Sequence, residues 1–328
     1  MNDNNGSVVI SDETTTGLIP VIDFGDFNIS TTSDNINDDV KRRLAAQIHT
    51  AFTNIGFVYL KNHGVATEKL DKLLSEAKTF FELPDDVKQK YARRSAEENL
   101  GWSCFKRERL SHDRPHGLKE SFDFETKPEN VRHFPEVPGF REAVNDFSLS
   151  CYHLSERLLT LIAIGLGLDD PTTFTRQHNI LTAENGSTLR CLYYPPITPD
   201  MAMQPNQIRC AEHSDYGSIT LLFQDNIGGL ELRTRSGEYV PAKPVPDTVL
   251  VNIADLMQRW TSDTLVSTKH RVVVPKGAEY SRDARMSVAY FVHSDSHCVV
   301  SSIDGKNKYP PIKTLDYSTV RFLDTFDY

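Results

Sequence analysis

The second half of the chain constrains the fold most, because its apolar residues come in short runs. Seven runs rich in β-branched and aromatic residues, separated by Pro, Gly and Asp, span residues 189–194, 219–224, 229–233, 248–253, 271–274, 286–292 and 297–301. Many short strands at modest spacing are typical of a sandwich, jelly roll or barrel. The pattern therefore disfavours a parallel α/β sheet.

The first half has a different, largely helical pattern. The segments "IPVIDF" (19–24) and "FVYL" (57–60) predict two short strands. Apolar residues that recur every three or four positions predict an amphipathic helix from about 40 to 56 and a second over 70–81, which stops before a proline. A third helical pattern runs from about 141 to 168.

Together these halves predict an α+β fold in one domain over residues 18–328. We expect a helix-rich part at 18–185, a β core at about 186–305 and a C-terminal segment at 306–328. Residues 1–17 are polar and acidic, which predicts a disordered tail.

Bulk properties narrow the function classes. The 328 residues carry a formal net charge of −9 and no basic cluster, so we expect no nucleic-acid partner. A membrane-spanning helix needs about 20 apolar residues, and the longest apolar segment, 158–168, is shorter than that. The N-terminus lacks a signal-peptide pattern. Five cysteines without CxxC spacing indicate reduced thiols. We expect a cytoplasmic protein that binds a small-molecule substrate, with no membrane association and no obligatory protein partner.

A candidate metal site opens one of the β runs. His213 and Asp215, in "EHSDYGSITLLF", would share one side of an extended strand. His270, in "STKHRVVV", stands at the start of another run and could supply a third ligand from a different strand. Two histidines and one carboxylate leave coordination positions open, as in non-haem Fe(II) oxygenases, whereas a structural zinc site is closed. The alternative is a solvated turn and an ordinary histidine.

A candidate anion site lies further along the β region. Arg285 and Ser287, in "RMSVAYF", again stand two residues apart. A guanidinium beside a hydroxyl suits a carboxylate, because arginine binds it with two hydrogen bonds and keeps its charge when buried. The alternative is a strand-edge arginine paired with an acidic neighbour.

These motifs resemble a known signature. "HSD" (213–215), His270 and "RMS" (285–287) are similar to the His-x-Asp…His…Arg-x-Ser pattern of Fe(II)/2-oxoglutarate-dependent dioxygenases of the isopenicillin N synthase-like family. Similar family landmarks occur in order over roughly residues 19–325: "IPVIDF", "GFVYLKNHGV", "FFELP", "KESFDFE", "LRCLYYPP", "HSDYGSITLLFQDNIGGLEL" and "VNIADLMQRWTSDTLVSTKHRVV".

The resemblance implies both a fold and a set of cofactors. The fold is a double-stranded β-helix (jelly-roll) core with helices packed outside it. Fe(II) is bound by the two histidines and the aspartate, and 2-oxoglutarate and O2 are the co-substrates. The distal carboxylate of 2-oxoglutarate meets Arg285 and Ser287, and the Tyr194 hydroxyl supports it. One departure lies nearby, because Leu192 replaces an asparagine common in plant members.

Three further residues are candidates for substrate binding. Tyr216 follows the metal pair, Phe291 closes the "RMSVAYF" strand, and Arg190 shares a strand face with Tyr194. An arginine with aromatic rings suggests a flat, oxygen-rich or anionic substrate. The alternatives are core packing for the two aromatic residues and a surface ion pair for Arg190.

The substrate class follows by resemblance only. "HSDYGSITLLFQD" and "LRCLYYPP" are similar to the thymine-hydroxylase-like and fungal natural-product branch. This predicts oxidation of a C–H group, favoured as a methyl group of a polyketide, with hydroxylation or tropolone-type ring expansion. A pyrimidine methyl hydroxylase is the alternative substrate reading. An iron oxidase that does not use 2-oxoglutarate, a non-catalytic jelly-roll binding protein and a zinc hydrolase are the alternatives of other classes.

Overall fold

The structure is a computed structural model of the chain. It describes residues 17–32, 36–94, 100–108, 110, 115–126, 134–198, 206–274 and 283–325. The tail predicted at 1–17 lies outside the described residues except for its last position, Gly17.

Helices dominate the N-terminal part, as the periodicity predicts. The α-helices of the described residues are α1 (Asp38–Asn54), α2 (Thr67–Phe81), α3 (Asp85–Lys88), α4 (Phe140–Gly165), α5 (Asp255–Trp260) and α6 (Thr314–Thr325). The side chain of Asn37 caps α1 by accepting a hydrogen bond from the Asp39 amide at 2.8 Å. Gly56 follows α1 with φ +73°, and a Cβ there would lie 2.0 Å from the Val266 carbonyl oxygen, so only glycine fits this turn.

The strands form two main sheets. They are β1 (Val21–Asp23), β2 (Phe57–Lys61), β3 (Gly101–Ser103), β4 (Glu120–Glu125), β5 (Thr188–Tyr194), β6 (Cys210–His213), β7 (Ile219–Gln224), β8 (Leu230–Arg233), β9 (Tyr239–Pro241), β10 (Thr248–Ile253), β11 (His270–Val272), β12 (Arg285–Val292), β13 (Val299–Val300) and β14 (Ile312–Lys313). An eight-stranded sheet has the order β1-β2-β10-β7-β12-β5-β4-β3, and a four-stranded sheet has the order β6-β11-β8-β9. Within the described residues, every pair of these strands except β1–β2 is antiparallel.

Alternation along the large sheet divides the core into two layers. In β12, Met286 and Val288 point into a core shared with the helices, whereas Ala289 and Phe291 point into a core shared with the four-stranded sheet. The molecule is therefore layered as helices, large sheet and small sheet. This architecture confirms the α+β class and the jelly-roll core with flanking helices.

Each of the seven predicted β runs contains a strand, but the N-terminal part contributes more β structure than the pattern suggests. Strands β3 and β4 are not predicted by it, and β1 and β2 join the large sheet beside β10. The division of the chain at about 186 and 305 stays a prediction. In the described residues, no helix is both long enough and apolar enough to span a bilayer.

Candidate active site

Two adjacent strands of the small sheet bring the predicted histidines together. His270 opens β11 and stands directly opposite His213, the last residue of β6. Their ring centroids are 4.3 Å apart. Thus the expectation that a second strand supplies the third candidate ligand agrees with the pairing register.

Asp215 reaches the histidines from a loop, and the prediction that it shares a strand with His213 is wrong. Strand β6 ends at His213, and Asp215 lies in the connection to β7. Its Oδ2 accepts hydrogen bonds from Thr220 Oγ1 at 2.6 Å and Asn252 Nδ2 at 2.7 Å. These bonds hold the carboxylate so that Oδ1 lies 3.8 Å from His213 Nε2 and 3.7 Å from His270 Nε2.

The donor atoms of this cluster suit a divalent cation. Nδ1 of His213 donates to the Ala211 carbonyl at 2.9 Å and Nδ1 of His270 donates to the Thr268 carbonyl at 3.2 Å, so both Nε2 lone pairs are left for a metal. The three ligand atoms lie within 4.8 Å of one another. We conclude that the residues present fit an Fe(II) ion.

Electrostatics set the protonation states that metal binding requires. Burial lowers the pKa of both histidines, that of His270 to about 4, so the imidazoles are neutral near pH 7. Burial alone would raise the pKa of Asp215, but the two histidines and the hydrogen bonds to its carboxylate outweigh burial and lower it. The cluster therefore offers two neutral imidazoles and one carboxylate.

The Arg-x-Ser motif lies in the middle of the large sheet, not at an edge. Arg285 is 1% exposed, and β12 is paired on both sides. Its guanidinium donates to Ser287 Oγ at 3.2 Å and Gln224 Oε1 at 3.0 Å, and it lies 4.7 Å from the ring centroid of Tyr194. Both acceptors are neutral, so the acidic neighbour of the alternative interpretation is not what binds this arginine.

Arg190 is the centre of a buried ion network on the cavity wall. Its Nε donates to Asp123 Oδ1 at 2.6 Å, and its Nη1 lies 3.3 Å from Glu108 Oε1. Lys119 Nζ pairs with the other Glu108 oxygen at 2.5 Å, and Arg93 pairs with Asp123 at 2.5 Å. The surface ion pair considered for Arg190 is therefore wrong, because the pairing is buried.

The aromatic candidates also line the cavity. Phe291 lies under the Arg190 guanidinium, with 5.2 Å between the guanidinium carbon and the ring centroid. The Tyr216 hydroxyl shares a 2.6 Å hydrogen bond with Thr325 Oγ1 of α6, and its ring contacts Phe322 at 5.7 Å. The C-terminal helix thus closes one side of a cavity of about 100 Å³ that also contains the metal cluster and Arg285.

Sequence reasoning missed several polar side chains of the cavity, among them Glu108, Asn252 and His293. Residues Arg285, Ser287, Ala289, Phe291 and His293 all line it. They stand two positions apart, so continuing the alternation of β12 by one step would have found His293. Phe322 and Thr325 carried no comparable signal, because their helix is distant in sequence.

The comparisons with known proteins agree with this geometry. A family model described as "non-haem dioxygenase in morphine synthesis N-terminal" matches residues 19–139, and the 2OG-Fe(II) oxygenase superfamily model matches residues 185–294. The chain is 35% identical to the proline hydroxylase buaE of Petromyces alliaceus, over 79% of this chain and 84% of that protein. It is 33% identical to the 2-oxoglutarate-dependent dioxygenase htyE of Aspergillus rugulosus, over 87% of this chain and 90% of that protein.

A solved structure is similar over nearly the whole fold. A full-length Neurospora crassa protein, in complex with alpha-KG and thymine, superposes with a TM-score of 0.82 at 31% identity, covering 93% of this chain and 96% of that chain. The chain belongs to the 2OG-Fe(II) oxygenase superfamily. It is a dioxygenase that uses Fe(II), 2-oxoglutarate and O2.

Proposed function

We propose that this dioxygenase oxidises a C–H group, favoured as a methyl group, of a small, planar, oxygen-rich substrate. The observation that carries the proposal is the position of the Arg190 guanidinium over the Phe291 ring on the cavity wall. A flat ring can stack on an aromatic face while its oxygens accept hydrogen bonds from the arginine.

The metal and cosubstrate would be held by the residues described above. His213, Asp215 and His270 would bind Fe(II), which together with 2-oxoglutarate and O2 supplies the oxidising power for inserting oxygen into the C–H bond. Because His213, Asp215 and His270 all line the cavity, a metal held by them would be accessible to ligands in the cavity.

The cosubstrate would be oriented by its distal carboxylate. Arg285 carries a positive charge with neutral hydrogen-bond partners, and Ser287 and Tyr194 present hydroxyl groups in the same part of the cavity. The carboxylate would therefore gain charge-assisted hydrogen bonds that water cannot replace as well in a buried site.

The residues around the substrate would select it by its shape and by hydrogen bonding. Tyr216 and Phe322 meet edge to face at one wall, and Phe291 forms another, so a flat ring fits better than a bulky saturated one. Arg190 is already paired with two carboxylates, so it would bind substrate as a hydrogen-bond donor of fixed direction. Neutral carbonyl or phenol oxygens suit such a donor.

We favour an aromatic or dearomatised polyketide, with hydroxylation or tropolone-type ring expansion as the outcome. A pyrimidine with an oxidisable methyl group is the second candidate, because the similar Neurospora crassa structure contains thymine. Because one relative is named a proline hydroxylase, a saturated amino acid is the comparison substrate for the planar candidates.

The test is a substrate panel assayed with Fe(II), 2-oxoglutarate and O2. Methylated polyketide phenols, thymine and free L-proline are compared by mass spectrometry of the product together with succinate release. We expect one oxygen in a planar substrate for each succinate formed, and proline should remain unchanged. Oxidised proline without planar products would contradict the proposal, and product without succinate would indicate an oxidase that does not use 2-oxoglutarate.

A further inference from the structure

A fully buried arginine outside the groups described so far lies beside the cosubstrate residues. Arg209 is 0% exposed and directly precedes β6. None of its three guanidinium nitrogens has a hydrogen-bond partner in the part of the chain that the structure describes. Buried guanidinium groups are normally paired, so this side chain needs an explanation.

Its position relates it to Arg285. The guanidinium carbon of Arg209 is 5.9 Å from the ring centroid of Tyr194, and that of Arg285 is 4.7 Å from the same centroid. The Tyr194 ring is itself buried and lines the cavity. Two buried cations therefore share one tyrosine at the end of the cavity where the Arg-x-Ser motif lies.

The local charges do not balance. Asp225 is the carboxylate that acts electrostatically on both arginines. Its oxygens already accept hydrogen bonds from the backbone amides of Ile227 and Met286. Among the residues that the structure describes, these two guanidinium groups against this one carboxylate leave an excess of one positive charge. One further carboxylate would neutralise it.

The excess charge is unfavourable in the free protein. Burial lowers the pKa of Arg209, and the neighbouring Arg285 lowers it further, which shows that the surroundings disfavour its charged form. An arginine nevertheless stays protonated, since its pKa lies far above neutrality. A buried, unpaired cation of this kind persists when function requires it, at the expense of stability.

We propose that Arg209 is a second cationic determinant of the cosubstrate site. It stabilises the distal carboxylate of a 2-oxo dicarboxylate through its electrostatic field across Tyr194, and it thereby favours 2-oxoglutarate over 2-oxo acids with a single carboxylate. This inference rests on the proposed assignment of that carboxylate to Arg285 and Ser287. Arg209 acts here as a specificity residue and takes no part in the oxidation itself.

A purely structural role is served by the backbone of Arg209. Its carbonyl accepts a hydrogen bond from the Leu118 amide at 3.1 Å, which fixes the start of β6 whichever side chain is present. Replacing the side chain by one of similar length therefore separates the two roles.

The experiment compares Arg209→Met, Arg209→Lys and wild type. Binding of 2-oxoglutarate and of pyruvate, which lacks the distal carboxylate, is measured by calorimetry on the Fe(II)-loaded enzyme without O2. The melting temperature of the metal-free protein is recorded in parallel. Arg271→Met, which removes a cation of β11 paired with Glu231, is the control for general loss of positive charge.

We expect Arg209→Met to weaken 2-oxoglutarate binding about tenfold or more, to leave pyruvate binding unchanged and to raise the melting temperature. Arg209→Lys should keep most of the affinity. Unchanged 2-oxoglutarate binding, an equal loss for both oxo acids, or a lowered melting temperature in Arg209→Met would each overturn the inference. Failure of wild type to prefer 2-oxoglutarate over pyruvate would instead refute the proposed cosubstrate site itself.

Discussion

Two buried arginines face the same cavity with opposite surroundings. Arg190 is held by two carboxylates, Asp123 and Glu108, whereas Arg285 donates only to the neutral oxygens of a serine and a glutamine. Both side chains are largely buried, with 8% exposure for Arg190 and 1% for Arg285. Burial alone therefore does not distinguish them.

Arg190 is therefore suited to donate a hydrogen bond in a fixed direction, whereas Arg285 is suited to bind an anion. Arg190 is paired with two carboxylates within the protein, so it can orient a substrate oxygen without requiring an anionic ligand. Arg285 is hydrogen-bonded to no carboxylate among the described residues and shares the field of Asp225 with Arg209, so its charge is available to an incoming carboxylate. The two ends of the cavity are thus suited to different ligands, an oxygen-rich substrate and a dicarboxylate.

The largest expected effect is at the metal cluster of the same cavity. Asp215→Ala removes the one anionic ligand, so we expect succinate formation to fall at least about 1,000-fold while the fold is kept. Glu212→Gln is the matched control, since this carboxylate lies outside the cavity and pairs with Arg233 and Lys269. Metal content by mass spectrometry and succinate release check the pair. Normal iron content in Asp215→Ala would show that the cluster is not the iron site.

Replacing each arginine in turn tests whether their different hydrogen-bond partners have different effects on stability, and Arg190 is taken first. Arg190→Met removes two charge-assisted hydrogen bonds, to Asp123 and Glu108, which keep Arg93 and Lys119 as their other partners, so we expect a loss of about 3 kcal/mol in unfolding free energy. The control Arg42→Met removes an exposed helical ion pair and should cost less than about 0.5 kcal/mol. Urea unfolding measures both. Equal costs for the two variants would contradict the distinction drawn here.

Arg285→Met should show the reverse pattern. No carboxylate among the described residues loses a hydrogen bond, and Asp225 keeps its two backbone hydrogen bonds, so unfolding free energy should change less than in Arg190→Met, while the KM for 2-oxoglutarate rises about 100-fold. Steady-state succinate release at varied 2-oxoglutarate checks this. The substrate KM should change little, whereas Arg190→Met should mainly raise the substrate KM. The same KM change in both variants would remove the functional difference between the two ends.

Much of this arrangement could be predicted from the sequence, and the exceptions have a physical cause. His213 and Asp215, like Arg285 and Ser287, stand two residues apart, a spacing that the sequence displays directly. The ion network around Arg190 could not be found in that way. Its acids, Glu108 and Asp123, lie far from it in sequence, and "ESFDFE" looks like a segment with an exposed acidic face.

In the structure that acidic segment is the buried strand β4. Glu120 pairs with Lys88 at 2.8 Å, and Asp123 pairs with two arginines, so the charges that suggest exposure are neutralised by tertiary contacts. The strand position predicted for Asp215 is wrong for a related reason. Sequence spacing shows that two side chains can be neighbours, but only Thr220 and Asn252 show how a loop carboxylate is held.

Removing a hydrogen-bond partner of Asp215 should have a smaller effect, on Fe(II) affinity. Thr220→Val removes the hydroxyl that donates to Asp215 Oδ2 and keeps the shape of the side chain. We expect Fe(II) affinity to fall about tenfold, because outer hydrogen bonds orient metal ligands. Thr248→Val, which removes a hydrogen bond to the Val245 carbonyl outside the cavity, should leave the affinity unchanged. Anaerobic Fe(II) titration compares the two, and equal affinities would show that Asp215 needs no such support.

The smallest effect is a pH dependence that should exist at one arginine and be missing at the other. Burial would raise the pKa of Glu108, but Lys119 and Arg190 outweigh it and lower the pKa to about 2, below the ordinary 4.5. A carboxyl whose pKa is lower in the folded state stabilises the fold above its unfolded pKa. That stabilisation is lost as the pH falls from 4.5 towards about 2.

Urea unfolding of wild type and Glu108→Gln measures this stabilisation. The difference between their unfolding free energies should stay constant from about pH 7 to about pH 5 and shrink below that. The difference between wild type and Arg285→Met should not follow this course, because Arg285 donates to neutral groups and burial raises the pKa of the nearby Asp225 carboxyl above its ordinary value. A Glu108→Gln difference that already declines above about pH 5 would mean that the Arg190 network does not hold its carboxylate ionised, and the contrast between the two arginines would then be one of position alone.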